Sequence, residues 1–137
     1  MSKRIATSSA RKNLKVTEPR LLADYFMERM RHLEKEVVYL ILLDAKNHMI
    51  SEQIVSTGTV TMSLISTREI FKVALSYQAV SIILLHNHPS GDPEPSKQDL
   101  NITKKIFEVG VLLDIPLLDH IIIGDHVYYS LKEHKLF

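Results

Sequence analysis

The chain has 137 residues, of which 45% are hydrophobic and 24% charged, and its net charge is +1. These values are ordinary for one folded domain and argue against a disordered or fibrous protein. The chain contains no cysteine, which excludes disulfides, cysteine-ligated zinc, iron–sulfur clusters and a thiol nucleophile. It shows no apolar run long enough to span a membrane and no secretory signal, so we expect a cytoplasmic protein without a membrane partner.

The first part of the chain is basic and has no hydrophobic periodicity. Residues 1–17 contain five basic residues and no acid: Lys3, Arg4, Arg11, Lys12 and Lys15. We interpret residues 1–16 as a flexible, solvated tail and residues 17–137 as the folded domain. The alternative for the tail is an arm that attracts phosphate groups.

Hydrophobic spacing predicts helices and strands in the first half of the domain. A helix over 18–34, with Pro19 in its first turn, precedes apolar strands over 36–43 and 49–56. The segment after Gly58 is ambiguous. A second helix then begins at Ser66, where a glutamate three residues later completes a capping-box pattern.

The second half of the domain continues the same alternation. A buried strand over 80–86 precedes a loop rich in proline and glycine, and a third helix spans 96–109 with Gly110 at its end. Strands over 115–123 and 126–131 close the chain. The order α-β-β-α-β-α-β-β predicts an α/β domain, with a mixed central sheet and flanking helices.

The most informative segment is His86-Asn87-His88-Pro89, at the end of the third predicted strand. Residues i and i+2 of a strand point to the same side, so His86 and His88 present two imidazoles to one ligand. If Ser96 caps the third helix, Asp99 lies in its first turn, and its carboxylate can point back towards the imidazoles. Two histidines and one carboxylate suffice to hold a catalytic zinc ion, with water in the fourth position. Zinc lowers the pKa of such a water to about 7.

The spacing of these residues resembles the JAMM motif of JAB/MPN metalloproteases, H-x-H, seven residues, S, two residues, D. The matching positions are His86, His88, Ser96 and Asp99. The longer run HNHPSGDPEPSKQD resembles the signature of the RadC family, and similarity extends from about residue 30 to the C-terminus, including STREIFKVAL and LLDHIII. The resemblance implies a JAB/MPN-like fold over 17–137, with the three-layer architecture of cytidine deaminases.

The resemblance also implies a glutamate next to an apolar strand that works as general acid/base. Glu36 stands immediately before such a strand, and Glu34 is the alternative, on the same face if the strand extends that far. Such a carboxylate can take a proton from the metal-bound water and hand it to the leaving amine. Ser96 would hydrogen-bond the developing oxyanion. The pair Asp119-His120 also matches the family, and we interpret it as support for the site or the core.

We therefore expect a zinc-dependent hydrolase of the JAMM type, with one Zn²⁺ per chain. The resemblance, and not the ligand spacing, implies a peptide or isopeptide bond in a peptide or protein substrate. A zinc deaminase is disfavoured, because its site needs H-x-E with C-x-x-C and the chain has no cysteine.

Two other functions remain open on the sequence. One is a DNA-repair-associated or nucleic-acid-associated metal-binding module, in keeping with the historical label of the family. Such proteins commonly carry a helix-hairpin-helix region before this domain, and residues 1–35 show no G-x-G hairpin pattern. The other is a metal-binding scaffold whose hydrolytic activity has lapsed. The oligomeric state also stays open, since an exposed sheet edge in this fold can pair with a second copy.

Overall fold

The computed structural model of the chain describes residues 14–58 and 65–137. The elements of these two ranges follow the predicted order. They are α1 (Pro19–Met30), β1 (Glu36–Leu43), β2 (Met49–Gly58), α2 (Thr67–Ser76), β3 (Ser81–Asn87), α3 (Lys97–Leu113), β4 (Leu117–Ile123) and β5 (Tyr128–Ser130). Within these ranges, none of the helices combines the length and the apolar character needed to cross a membrane.

The five strands form one mixed sheet in the order β2-β1-β3-β4-β5. β1 pairs antiparallel with both β2 and β3, and β5 pairs antiparallel with β4. β3 and β4 are parallel, and α3 connects them. As a result, the carboxyl ends of β3 and β4 lie at the same edge of the sheet as the amino end of β1.

The core has two layers, one on each face of the sheet. Strand side chains alternate between faces, and both faces of β1 and β3 are apolar. Leu40 and Leu84 belong to the layer that packs against α2 and α3, whereas Ile41 and Leu85 belong to the layer that packs against α1. Each of these buried side chains contributes about 1.5–3 kcal/mol of transfer free energy. The architecture is therefore a three-layer α/β/α arrangement, which confirms the predicted fold class.

The first helix is shorter than the sequence predicts. α1 ends at Met30, and residues 31–35 form a turn and a bend that reverse the chain into β1. The apolar residue that suggested a longer helix, Leu33, instead packs against the α1 side of the core from this turn. An apolar residue in such a turn therefore has the same spacing in the sequence as one more position of the helix.

The third helix is longer than predicted, because Gly110 does not end it. α3 continues to Leu113, and Asp114 takes the left-handed conformation at its end, with φ of 58°. Gly110 is instead a point of close approach, where an added Cβ would lie 2.5 Å from the carbonyl oxygen of Ile115. β4 then starts at Leu117 rather than at residue 115.

Residues 14–16, which the sequence analysis places in the tail, lie against the turn between β1 and β2. Lys15 forms an isolated bridge with His48, and the Val16 amide donates to the Asn47 carbonyl over 2.8 Å. The Val16 side chain is buried, so packing begins before residue 17. The rest of the predicted tail and the ambiguous segment after Gly58 (residues 1–13 and 59–64) lie outside the described residues.

Candidate metal centre

Four polar side chains converge where the amino end of β1, the carboxyl end of β3 and the amino end of α3 meet. One ligand atom from each of Glu36, His86, His88 and Asp99 lies within 4.8 Å of every other. The structure thus brings together the three residues that the sequence proposes as metal ligands and the glutamate that it proposes as acid/base.

The two imidazoles approach each other through their Nε2 atoms. Alternation along β3 and the residue that follows it places His86 and His88 on one side, with their Nε2 atoms 3.1 Å apart. His86 is fully buried, whereas the His88 side chain is 17% exposed. His88 Nδ1 donates to the Asp92 carbonyl over 3.0 Å, because a carbonyl only accepts. Its Nε2 is therefore the atom that faces the cluster.

The carboxylate of Asp99 is held by the cap of α3. The Ser96 amide donates to Asp99 Oδ2 over 2.8 Å, and the Asp99 amide donates to Ser96 Oγ over 3.0 Å, which makes a reciprocal capping box. In this position Asp99 Oδ2 lies 3.2 Å from His88 Nε2, and Oδ1 lies 3.4 Å from His86 Nε2. The Asp99 side chain is only 1% exposed. Ser96 itself is exposed and acts structurally as the helix cap.

Glu36 reaches the cluster from the first position of β1. Its Oε1 lies 3.3 Å from His86 Nε2, and its side chain is 25% exposed, so the carboxylate also faces solvent. The register explains this placement, because Val38 pairs with His86 across the β1–β3 ladder. Glu34 is exposed and lies in the bend before β1, so Glu36 and not Glu34 belongs to the cluster.

Asn87, between the two histidines, fixes the backbone around Glu36. Its Oδ1 accepts from the Val37 amide over 2.7 Å, and its Nδ2 donates to the Lys35 carbonyl over 3.1 Å. The sequence pattern predicts no role for this residue. Its position inside the H-x-H pattern was the available signal, but the partners depend on the pairing of β1 with β3.

The electrostatics of the cluster favour positive charge among its members. Burial by itself would raise the pKa of Asp99, but the His86 and His88 imidazoles beside its carboxylate hold that pKa well below its ordinary value. Burial would likewise lower the pKa of His88, but hydrogen bonds with Asp99 and the Asp92 carbonyl, together with the charge of Glu36, raise it. The two carboxylates therefore make a setting that stabilises a cation.

His120 and Thr103 lie directly behind His86. His120 Nε2 is 2.8 Å from His86 Nδ1, and His120 Nδ1 is 2.5 Å from Thr103 Oγ1. Full burial and the nearby His86 ring lower the pKa of His120 well below its ordinary value, so the ring is neutral. Thr103 was missed by the sequence analysis, although its place four residues after Asp99 on α3 was a usable signal.

Asp119, the other member of the pair that the sequence proposes as support, does not contact the cluster. Its carboxylate accepts from Ser130 Oγ over 2.6 Å, from the His120 amide over 2.7 Å and from the Lys132 amide over 3.1 Å. It therefore joins the end of β5 to the backbone of His120, and the His120 ring is the member of the pair that contacts the site.

The loop between His88 and Ser96 is anchored on the end of β4. The His88 amide donates to the Ile123 carbonyl and the Asp125 amide donates to the Gly91 carbonyl, each over 2.9 Å. Gly91 has a φ of +91°, which favours glycine, and an added Cβ on Gly124 would collide with the Gly91 carbonyl. These contacts keep the second histidine and the start of α3 at fixed positions.

Comparisons with known proteins identify the family of this chain. The family model described as the RadC-like JAB domain matches residues 16–136. The UPF0758 protein of Alkaliphilus oremlandii is 45% identical over 136 residues, which is 99% of this chain and 59% of that protein. The UPF0758 protein of Clostridium acetobutylicum is 46% identical over 134 residues, which is 98% of this chain and 58% of that protein. The chain therefore spans about three fifths of the length of the curated relatives it matches, and their names state no activity.

Proposed function

The chain belongs to the RadC-like JAB domain family, and on that premise we propose that it is a zinc-dependent hydrolase of the JAMM type that cleaves a peptide or isopeptide bond. The observation that carries the proposal is the convergence of Glu36, His86, His88 and Asp99 within 4.8 Å. Three elements distant along the chain place two imidazole nitrogens and two carboxylates around one point. A buried carboxylate such as Asp99 is costly unless it is paired or binds a cation.

The donor set fits zinc. We assign His86, His88 and Asp99 as the protein ligands of one Zn²⁺ per chain, because imidazole nitrogens with one carboxylate match the three-ligand sites of catalytic zinc. Glu36, which is the more exposed carboxylate, stays available to substrate. Zinc held there would act as a Lewis acid and lower the pKa of a bound water to about 7.

Glu36 is assigned as the general acid/base. Its carboxylate takes a proton from the attacking water at the solvent-facing side of the cluster and returns it to the leaving amine. Such a transfer needs the carboxylate within about 3 Å of the proton. Ser96 is assigned to the oxyanion. Its Oγ accepts from the Asp99 amide, so its own proton remains available to donate to the substrate oxygen, a role worth about 3 kcal/mol in comparable sites.

The test combines metal analysis with cleavage assays on peptide and isopeptide libraries. The wild-type chain should bind about one zinc, and His88→Ala should lose most of it, because the half-buried His88 supplies a ligand nitrogen. His32→Ala, which changes an exposed histidine in the turn after α1 and outside the cluster, is the matched control and should keep the zinc. Zinc bound equally by both variants would contradict the site.

The acid/base role has its own matched pair. Glu36→Gln should keep the zinc and lower turnover by about 100-fold or more, because the amide cannot move the proton. Glu34→Gln removes a charge two residues away, outside the cluster, and should leave turnover unchanged. Loss of zinc in Glu36→Gln would make Glu36 a ligand, and unchanged turnover would remove it from the chemistry.

The competing function is nucleic-acid association through the basic residues near the start of the chain. Lys3, Arg4, Arg11 and Lys12 lie outside the described residues, and the four-residue cluster does not require them. Salt-dependent duplex binding that disappears when these four are neutralised would favour this function. Hydrolysis unaffected by the same changes would favour the proposal above.

A further inference from the structure

We propose that Thr103 and His120 are positioning residues that select the tautomer of His86, so that His86 Nε2 carries the lone pair. The proposal rests on the function proposed for the site, because a metal ligand must present a lone pair. It assigns roles to two buried side chains that take no part in the proposed proton transfer. Thr103 and His120 are both fully buried.

The direction of the hydrogen bonds starts at the Thr103 hydroxyl. Thr103 Oγ1 lies 2.6 Å from the Asp99 carbonyl oxygen and 2.5 Å from His120 Nδ1. A hydroxyl has one proton, and a carbonyl oxygen only accepts. The proton must therefore point to Asp99. It follows that His120 Nδ1 carries a proton and donates to the hydroxyl.

The same reasoning then gives the proton positions on His120 and on the proposed ligand His86. A fully buried imidazole is disfavoured as a cation, so with its proton on Nδ1 the His120 ring has a lone pair at Nε2. This atom lies 2.8 Å from His86 Nδ1, which must donate. With the proton on Nδ1, the His86 ring carries its lone pair on Nε2, the atom that faces His88, Glu36 and Asp99. The two carboxylates do not reverse this order, because their oxygens lie 3.3 and 3.4 Å from Nε2, farther than the 2.8 Å that joins Nδ1 to His120.

These hydrogen bonds connect one proposed ligand, His86, to the backbone carbonyl of another, Asp99. Metal-binding histidines commonly donate their second N–H to a carboxylate, a carbonyl or water. Here the acceptor is a neutral imidazole, and its own orientation depends on a hydroxyl bound to the Asp99 carbonyl. His86 and Asp99 are thereby oriented by one set of hydrogen bonds without any further charge in the core.

The test compares Thr103→Val with Thr103→Ser. Valine keeps the shape of threonine and removes the hydroxyl, whereas serine keeps the hydroxyl and removes a methyl group. Zn²⁺ affinity, measured by competition with a chromophoric chelator, should fall about 10–100-fold in Thr103→Val and stay near the wild-type value in Thr103→Ser. A residue that only fills space would give the opposite ranking, because the core would then lose more from serine.

A second readout does not depend on zinc or on hydrolysis. ¹⁵N NMR of histidine-labelled, metal-free protein in alkaline buffer should show His86 protonated on Nδ1 in the wild type and in Thr103→Ser. In Thr103→Val, His120 is free to donate from Nε2, and the proton of His86 should move to its own Nε2. Should the valine variant misfold, His120→Gln, whose Oε1 can accept in place of the ring nitrogen, should keep the wild-type tautomer.

Two results would overturn the inference: a wild-type His86 protonated on Nε2, or Thr103→Val binding zinc as tightly as the wild type. A wild-type chain that binds no zinc at all would instead refute the proposed function. The NMR measurement would still decide the tautomer in that case, so the two failures are distinguishable.

Discussion

At the scale of single residues, Asn87 links the ligand-bearing strand to the proposed acid/base. Its amide contacts the backbone on both sides of Glu36, through Val37 and Lys35. These partners also set the orientation of the amide, since an N–H faces Oδ1 and a carbonyl faces Nδ2. Because a displacement of about 1 Å can cost 100-fold in rate, a restraint at this point bears directly on proton transfer.

We predict that Asn87→Ala keeps the zinc and loses turnover. The alanine removes both side-chain bonds to the backbone around Glu36, so the Glu36 carboxylate should lose its fixed position, whereas His86 and His88 keep theirs. We expect about one zinc per chain and a turnover lowered by about 10-fold or more. Asn101→Ala, which changes an exposed asparagine on α3, is the control. Equal turnover in the two variants would show that Asn87 has no part in placing Glu36.

At the scale of elements, the amino end of α3 serves both folding and chemistry. The capping box joins Ser96 and Asp99, and the same bonds turn the Asp99 carboxylate towards the histidines. α2 offers a comparison, because Ser66 Oγ accepts from the Glu69 amide over 3.2 Å at a helix end away from the cluster. The two caps share the serine bond, but only α3 has the reciprocal bond from the cap amide to a side chain, so the capping box predicted at Ser66 is only half formed.

This pair predicts a difference between Ser96→Ala and Ser66→Ala. Each change removes an N-cap and should lower the free energy of unfolding by about 1 kcal/mol in a denaturant titration. Only Ser96→Ala should also weaken Zn²⁺ binding, by about 10-fold, because the lost hydroxyl bond fixes the backbone of the ligand Asp99. The Ser96 amide, which holds the Asp99 carboxylate, remains in the variant. Equal zinc affinity in the two variants would show that the Ser96 cap does not contribute to zinc binding.

The elements also show where sequence patterns suffice and where they fail. Hydrophobic periodicity predicted every helix and strand of the described ranges in the correct order. The ends of the helices and strands were less predictable, because one residue in a sequence is compatible with several structural roles. Gly110 resembles a helix terminus but serves a close approach to Ile115, and Leu33 resembles a helical position but packs from a turn. Each of these roles depends on how the folded chain packs and not on local spacing.

At the scale of the whole molecule, the cluster joins the ends of three elements that meet only in the folded state. β1, β3 and α3 each supply part of it. A ligand that binds all three stabilises the folded chain by mass action, since the unfolded chain does not hold the site together. Zinc binding should therefore be visible in the unfolding equilibrium, independently of any substrate.

We predict that free Zn²⁺ at about 100 times its Kd adds about 2.7 kcal/mol to the free energy of unfolding. A chelator should remove this gain and return the denaturant midpoint to its metal-free value. Thermal or denaturant unfolding with and without Zn²⁺ measures it. His88→Ala should show little of the gain, and His32→Ala should show all of it. The same gain in both variants would place the zinc elsewhere on the chain.

The sequence by itself determined the element order and the local geometry of two pairs of site residues. His86 with His88, and Ser96 with Asp99, lie two and three residues apart, so a strand or a helix start is enough to orient them. Only the tertiary structure decided that Glu36 and not Glu34 joins them, that Asn87 and Thr103 support them, and that His120 is the member of the expected supporting pair whose ring contacts the site. Those contacts depend on the register of β1 against β3 and on the packing of α3 against β4. Apart from the bond between Thr103 and Asp99, they join residues far apart in the chain, and local periodicity contains no information about such pairings.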